Sequence, residues 1–241
     1  MRTQTFNLLY KEVRLCLMPL HYVLLLAVSM LLIPNYPRYA AFFYIALGEF
    51  WMFNAGALNN DVQYSLALPI RKRDIVKSRC LMAAFYEAAA VLLSVPFAAA
   101  AQALLPEANA AGIEANVAFY GFSLVVLTAF HFVFFTQFYK RGEKPGLPFL
   151  FGSIAFWASY ALCEFPVWLK DSLPAAAFAA SGTGASAGTV PGAAFCRLLD
   201  STDAAAQTAQ LPLLAAGAAV YAAGWLATYR ISAGRFERAD V

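Results

Sequence analysis

The chain alternates long apolar runs with short polar segments, and this pattern predicts a bundle of membrane-spanning helices. Crossing a bilayer takes about 20 consecutive apolar residues, and six segments reach or approach that length. They cover residues 15–33, 39–58, 80–105, 117–138, 147–169 and 211–229. We therefore predict an all-α polytopic membrane protein, with residues 1–241 forming a single transmembrane domain.

Composition supports the same class. Charged residues make up 13% of the 241-residue chain and hydrophobic residues 61%, whereas a soluble domain is about 25% charged. The mean hydropathy is +0.61. These values exclude an ordinary soluble domain, and nothing in the sequence indicates nucleic-acid binding.

Basic residues are distributed unevenly between the two sides of the predicted spans. Of the 17 lysines and arginines, only Arg38, Lys170 and Arg197 fall on one side, and the other 14 fall on the side of both termini. Because cytoplasmic flanks carry the excess of Lys and Arg, we expect both termini to be cytoplasmic. Residues 170–210 then form an outside segment, which contains the low-complexity stretch AASGTGASAGTVPG.

The N-terminal residues 3–14 precede the first predicted span and have helical periodicity. Phe6, Leu9, Tyr10 and Val13 share one face of such a helix, which predicts an amphipathic helix lying in the cytoplasmic interface. The alternative is a frayed first turn of the first span.

The most polar part of the first hundred residues is NNDVQYSLALPIRKRDIVKSR, residues 59–79. Asn59, Asn60 and Asp61 are residue types that cap helices, and Pro69 would end a helix that starts there. We predict a short cytoplasmic helix over residues 61–68, followed by basic side chains at the lipid headgroups: Arg71, Lys72, Arg73, Lys77 and Arg79. A solvated basic turn would explain these charges, but not the cap signal and the proline together.

Motifs for nucleotide or hydrolytic chemistry are absent from the sequence. There is no Walker loop, no His-Glu-x-x-His and no Gly-x-Ser-x-Gly, so we predict no catalytic residues, no metal ligands and no cofactor on this chain. His21 and His131 stand singly in spans, and we interpret them as packing residues, with a bis-His haem as the alternative. The cysteines lack the spacing of metal-binding motifs, and we interpret them as small apolar residues. They are Cys16, Cys80, Cys163 and Cys196.

Three acidic residues fall inside predicted spans, where a charge is costly. Glu87 and Glu164 lie towards the ends of their helices, which leaves Glu49 as the deep acid. Glu49 either packs helices together or has a function in the membrane.

Residues 59–79 also resemble a segment of a known family, the membrane subunits of ATP-binding-cassette exporters of the type-two (ABC-2) permease family. In that family a polar start and a short helix precede Leu-Pro-Ile/Val, basic residues and Ile-Val. Asn59, Asn60, Leu68, Pro69, Ile70, Arg71, Arg73, Ile75 and Val76 match this pattern. The C-terminal Ser232, Phe236, Arg238 and Asp240 fit the family's tail loosely.

The resemblance implies a permease that exports an unidentified substrate across the bacterial plasma membrane. Its short helix would dock on a separate cytoplasmic ATPase subunit, which would bind ATP and Mg²⁺, and a second permease subunit, identical or paralogous, would complete the pore. The implied coupling residues are Asn59, Asn60, Asp61, Val62, Ser65, Leu66, Leu68, Pro69, Arg71 and Arg73.

Two other functions stay open from the sequence. One is a membrane-embedded enzyme acting on lipid or prenyl substrates, which would require clustered acids or histidines; Glu49, Glu87, His21 and His131 are dispersed along the sequence. The other is a membrane scaffold or assembly protein.

Overall fold

A computed structural model describes residues 2–105, 109–141, 144–172 and 193–238, and no strand occurs among them. The helices are α1 (Arg2–Cys16), α2 (Pro19–Leu26) continued by a 3₁₀ helix (Ala27–Leu32), α3 (Ala40–Leu58), α4 (Asp61–Leu66), α5 (Lys72–Leu104), α6 (Val117–Arg141), α7 (Gly146–Ser172), α8 (Ala193–Asp200) and α9 (Ala204–Arg238).

Five of these helices are long and apolar enough to cross a membrane: α3, α5, α6, α7 and α9. A sixth crossing results if the N-terminal helices count as one span, but there the chain bends by 86° between Thr5–Cys16 and Pro19–Leu32. The first span therefore differs from residues 15–33, because residue 15 still belongs to α1. Pro19 occupies the first turn of α2, where its missing N–H costs no hydrogen bond.

The segment before the last span contains more helix than the sequence predicted. α8 falls inside it, and α9 starts at Ala204, two turns before the predicted span at residue 211. The low-complexity stretch lies within residues 173–192, outside the described residues.

Aromatic side chains form much of the core between α3 and α6. Phe53 of α3 meets Phe134, Phe135 and Phe138 of α6 edge to face, with ring centroids 4.6–4.9 Å apart. This geometry places the positive edge of one ring on the negative face of another. The aromatic cluster fixes α3 against α6 near the ends of both helices.

α6 and α9 cross at two glycines. A Cβ atom added at Gly217 would lie 2.2 Å from the backbone oxygen of Gly121, and one added at Gly121 would lie 2.7 Å from the backbone oxygen of Leu213. Small residues let membrane helices approach closely where lipid gives no hydrophobic driving force between them. The α6–α9 pair therefore depends on glycine at this crossing.

The predicted cytoplasmic flanks meet at one end of the bundle, which we call the basic end. It joins α1, α4, the start of α5, and the ends of α6 and α9. Arg73 near the start of α5 pairs with Glu237 at the end of α9 at 2.5 and 2.8 Å, and Arg235 donates to the Thr136 carbonyl of α6. These contacts are those expected if the flanks share one compartment.

A cluster of polar contacts, which we call the polar knot, lies at the opposite end of the bundle. Arg38 donates to the Leu31 carbonyl at 2.9 Å and to Glu114 at 2.6 Å, and Asn116 donates to the carbonyl of Leu199 in α8 at 2.7 Å. Gly112 has φ +143°, a conformation that L residues rarely adopt. The connection between α5 and α6 is thus tied to α8 and to the loop before α3.

Glycine at the α6–α9 crossing can be tested against a glycine on the same helix. Gly217→Ala should lower the melting temperature of the protein in detergent, because its methyl group overlaps the Gly121 backbone and overpacking costs about 1–3 kcal/mol. Gly234→Ala is the matched control: nothing lies within 4 Å of its added Cβ, and alanine favours helix by about 1 kcal/mol. Equal melting temperatures for Gly217→Ala and the wild type would contradict the close crossing.

Candidate functional site

α4 is a six-residue helix between the α3 and α5 spans at the basic end. Asn60 enters it with φ 51°, and no side chain caps its first turn, so the predicted side-chain cap from residues 59–61 is wrong. Asp61 is instead buried, and so is Ser65 one turn later. The inner face of α4 is therefore polar, and it requires buried partners.

The other predicted residues of this segment divide between two surfaces. Val62 and Leu66 are half-buried and pack against the chain's own core. The outer surface is formed by residues that are exposed: Gln63, Tyr64, Ala67, Leu68 and Pro69. Tyr64 is 62% exposed, which makes it the large side chain that α4 presents outward, rather than Val62 or Leu66.

A buried ion cluster joins α4 to α1 and α5. The Arg79 guanidinium lies 2.6 Å from Glu12 Oε2 and 2.7 Å from Asp61 Oδ2. Lys11 Nζ lies 2.8 Å from Asp61 Oδ1 and 3.3 Å from Glu12 Oε1, and it donates to Ser65 Oγ at 2.6 Å. Two cations thus balance two carboxylates, and the contact between Arg79 and Asp61 Oδ2 is a charge-assisted hydrogen bond.

The position of Arg79 corrects the prediction that it lies among lipid headgroups. It is 4% exposed, and its guanidinium stacks 5.0 Å from the centre of the Phe53 ring. A Cβ added at Gly56 would lie 3.0 Å from Arg79 Nη1, so glycine makes room for the guanidinium. Of the other basic residues predicted at the headgroups, Arg71, Arg73 and Lys77 are exposed and Lys72 is half-buried.

Glu12 is the acid of this cluster that the sequence prediction missed, and Lys11 is the missed cation. The buried face of α1 is Leu8, Glu12 and Cys16, spaced four residues apart, and the predicted apolar face is largely exposed, with Phe6 at 68% and Tyr10 at 54%. The sequence signal for this buried acid was its position, since Glu12 lies four residues after Leu8 and four residues before Cys16. Such a residue sits on a helix face that packs inward and requires a cation there.

The acidic groups of this cluster come close enough to suggest a metal site. Ligand atoms of Glu12, Cys16 and Asp61 lie within 4.8 Å of one another. Arg79 and Lys11 already neutralise the two carboxylates, and the Cys16 thiol donates to Glu12 Oε2 at 3.3 Å. A divalent ion would have to displace both cations, so the donor set fits an ion pair better than a metal.

A cavity of about 440 Å³ lies beside α4 at the basic end. It is lined by Asn54 and Leu58 of α3, Asn60 and Gln63 at α4, Phe138 of α6, and Lys144 before α7. Leu58 is 75% exposed at its rim. The outer surface of α4 therefore borders a recess with apolar and polar walls.

The buried acids of the spans lie away from this site. Glu49 is fully buried, as predicted for a deep acid, but Glu87 is equally buried, and it lies against Glu49 rather than near a helix end. His131 Nδ1 is 3.3 Å from Glu87 Oε1. Glu164 accepts a hydrogen bond from the Ile113 backbone N–H at 2.6 Å in the polar knot.

The two histidines have separate partners. His21 bonds through Nδ1 to the backbone of Met18 and through Nε2 to the Gly48 carbonyl, and it packs edge-on to Tyr86. His131 stacks on Trp225 at 4.0 Å. The expectation that Glu49, Glu87 and the histidines are dispersed is thus wrong for Glu49, Glu87 and His131, which helix packing brings together.

Removing Arg79 should damage the fold far more than removing a neighbouring exposed arginine. Arg79→Gln leaves two buried carboxylates with one lysine, and breaking a buried ion pair costs about 3–5 kcal/mol. Arg73→Gln, whose side chain is 60% exposed, should melt almost as the wild type does. Thermal unfolding in detergent measures both. Equal stability of the two variants would show that the cluster does not hold α1, α4 and α5 together.

Comparison with known proteins agrees with this architecture. A family model described as "ABC-2 family transporter protein" matches residues 7–180, a range that contains α3 to α7 and the whole ion cluster. No curated protein and no solved structure matches the chain. The family match covers well over half of the chain, which therefore belongs to the ABC-2 family of transporter membrane proteins.

Proposed function

We propose that this chain is the permease subunit of an ATP-driven exporter in a bacterial plasma membrane, and that a separate cytoplasmic ATPase docks on α4. The family match makes the chain a transporter membrane protein. The observation that carries the finer proposal is α4 itself, which presents Tyr64 outward while its inner face is bonded to two other helices. A second permease subunit, identical or paralogous, completes the transporter.

The ion cluster supplies the mechanical link for this function. A partner that moves α4 must also move Asp61, and Asp61 is held by Arg79 of α5 and Lys11 of α1. Separating these groups costs several kcal/mol per broken pair, so a rigid shift of the three helices costs less than pulling α4 away. Movement at the cytoplasmic surface then becomes a tilt of the α5 span.

Exposed apolar residues of α1 fit the same mechanism. Phe6, Tyr10 and Val13 face away from the protein, where aromatic and apolar side chains can enter the lipid interface. The bend of 86° after Cys16 lets α1 lie across the direction of α2. α1 would thus guide the moving unit along the membrane surface.

The bundle is aromatic and weakly charged. Such a bundle suits lipid-like, peptide or drug molecules as the exported substrate. A lipid-modifying enzyme is less well supported. Besides the cavity beside α4, the structure has an apolar groove between α1, α2 and α5. Glu49, Glu87 and His131 are buried, and they line neither of these two sites.

Docking on α4 predicts that Tyr64 is more important for partner binding than the neighbouring cations. Tyr64→Asp should weaken ATPase binding about 10- to 100-fold, because burying a large apolar side chain contributes about 1.5–3 kcal/mol. The measurement is affinity purification of the tagged chain from its native membrane, with the co-purified ATPase quantified by mass spectrometry and ATP turnover.

Arg73→Gln is the control for this experiment, since Arg73 is exposed at the same basic end and pairs with Glu237 of α9. It should retain the ATPase at wild-type level. Leu66→Asp is less informative because Leu66 also packs against the core. If Tyr64→Asp keeps the ATPase and Arg73→Gln loses it, the segment acts as an electrostatic anchor and α4 is not the docking helix.

A further inference from the structure

Four spans bring a polar cluster together inside the bundle. Glu49 lies about halfway along α3 and Glu87 about halfway along α5, and α6 contributes His131. Glu49, Glu87 and His131 are all fully buried. Carboxyl groups at this depth are costly unless they are neutralised or hydrogen-bonded, so their surroundings decide their charge.

Glu87 is surrounded by hydrogen-bond donors. Its Oε1 lies 3.3 Å from His131 Nδ1, and its Oε2 accepts the indole N–H of Trp225 from α9 at 3.1 Å. The Tyr221 hydroxyl, one turn earlier on α9, lies near Glu87 and donates to the Ala84 carbonyl at 3.4 Å. The His131 and Trp225 rings stack at an interplanar angle of 22°, which holds both donors in position. Glu87 therefore has polar partners on both α6 and α9.

Glu49 has the opposite environment. Among the described residues neither of its oxygens accepts a hydrogen bond from a donor, and the polar group that its side chain meets is the Glu87 carboxyl. Two ionised carboxylates in contact repel strongly away from water. A hydrogen bond between two carboxyl groups forms only when one of them carries a proton.

The other titratable groups around the pair supply no permanent positive charge. Cys80 and Tyr86 of α5 lie near Glu49, and His131 and Tyr221 lie at Glu87. The nearest arginine along α5, Arg79, is about two turns away towards the basic end, where Glu12 and Asp61 hold it. Within the described part of the chain, no ion pair joins a lysine or arginine to either carboxyl.

We propose that Glu49 and Glu87 form an intramembrane proton-binding site whose ligand is a single proton. In the arrangement described here, protonated Glu49 donates its O–H to a carboxyl oxygen of Glu87. When α3 and α5 move apart and water enters, Glu49 gives the proton to water and becomes a carboxylate. The link between this proton and export rests on the proposed function; the site itself does not.

Infrared spectroscopy of the purified full-length protein in lipid nanodiscs tests the proposal. Wild-type protein should show the carbonyl stretch of a protonated carboxylic acid at neutral pH, and the band should disappear as the pH is raised. Glu49→Gln should abolish the band, because it removes the carboxylic acid that carries the proton. Trp225 fluorescence should change over the same pH range, since its indole N–H contacts Glu87.

Glu114→Gln is the matched control, because Glu114 pairs with Arg38 at the opposite end and should leave the band unchanged. If Glu49→Gln does not fold, Glu49→Asp keeps the carboxyl and should shift the band. Three results would overturn the proposal: no such band in the wild type, a band that Glu49 substitutions leave unaltered, or a band that persists until alkaline unfolding. Each would leave the ATPase co-purification, and so the proposed function, unaffected.

Discussion

The buried attraction between Arg79 and the two carboxylates Glu12 and Asp61 is the constraint on which the basic end depends. Arg79 belongs to α5, Glu12 belongs to α1, and Asp61 is the first residue of α4. One oxygen of each carboxylate lies within 2.7 Å of a guanidinium nitrogen. Without this arginine, the two buried carboxylates would have Lys11 as their one cation, and α4 would lose its ion pair with α5. Burying four charges here costs desolvation free energy. The resulting ion pairs join three helices that differ in length and direction at one point.

Two further features act on the rest of the bundle. The crossing of Gly121 and Gly217 brings α6 and α9 to backbone contact, and Trp225 on the same α9 reaches Glu87 of α5. The polar knot around Arg38 and Glu114 closes the end opposite to α4. The bundle is therefore tied by polar contacts at both ends and near its middle, and the interior carboxyl pair lies between the two ends that must move relative to each other in a transporter.

The sequence predicted the elements well where long-range contacts were unnecessary. Apolar runs located the five long helices to within a few residues at most of their ends, and Pro69 located the end of α4 to within two residues, although the side-chain cap predicted at its start is absent. The predictions that missed concern side-chain partners. Arg79 belongs to a basic cluster in sequence and was assigned to the headgroups, but Glu12 and Asp61 lie 67 and 18 residues away along the chain. Glu87 was expected towards a helix end, but α5 begins at Lys72 rather than near residue 80, which places Glu87 near the middle of the helix.

In the proposed mechanism, α1, α4 and α5 move as one unit relative to the end of the bundle that contains the polar knot. Distances between spin labels test it most directly, with labels at the exposed residues Asn7 of α1, Gln63 of α4 and Ala110 in the polar knot. In the complex with its ATPase, adding ATP should leave the Asn7–Gln63 distance unchanged and alter the Gln63–Ala110 distance. A change in the Asn7–Gln63 distance at constant Gln63–Ala110 distance would show that α4 moves independently, and would contradict the account.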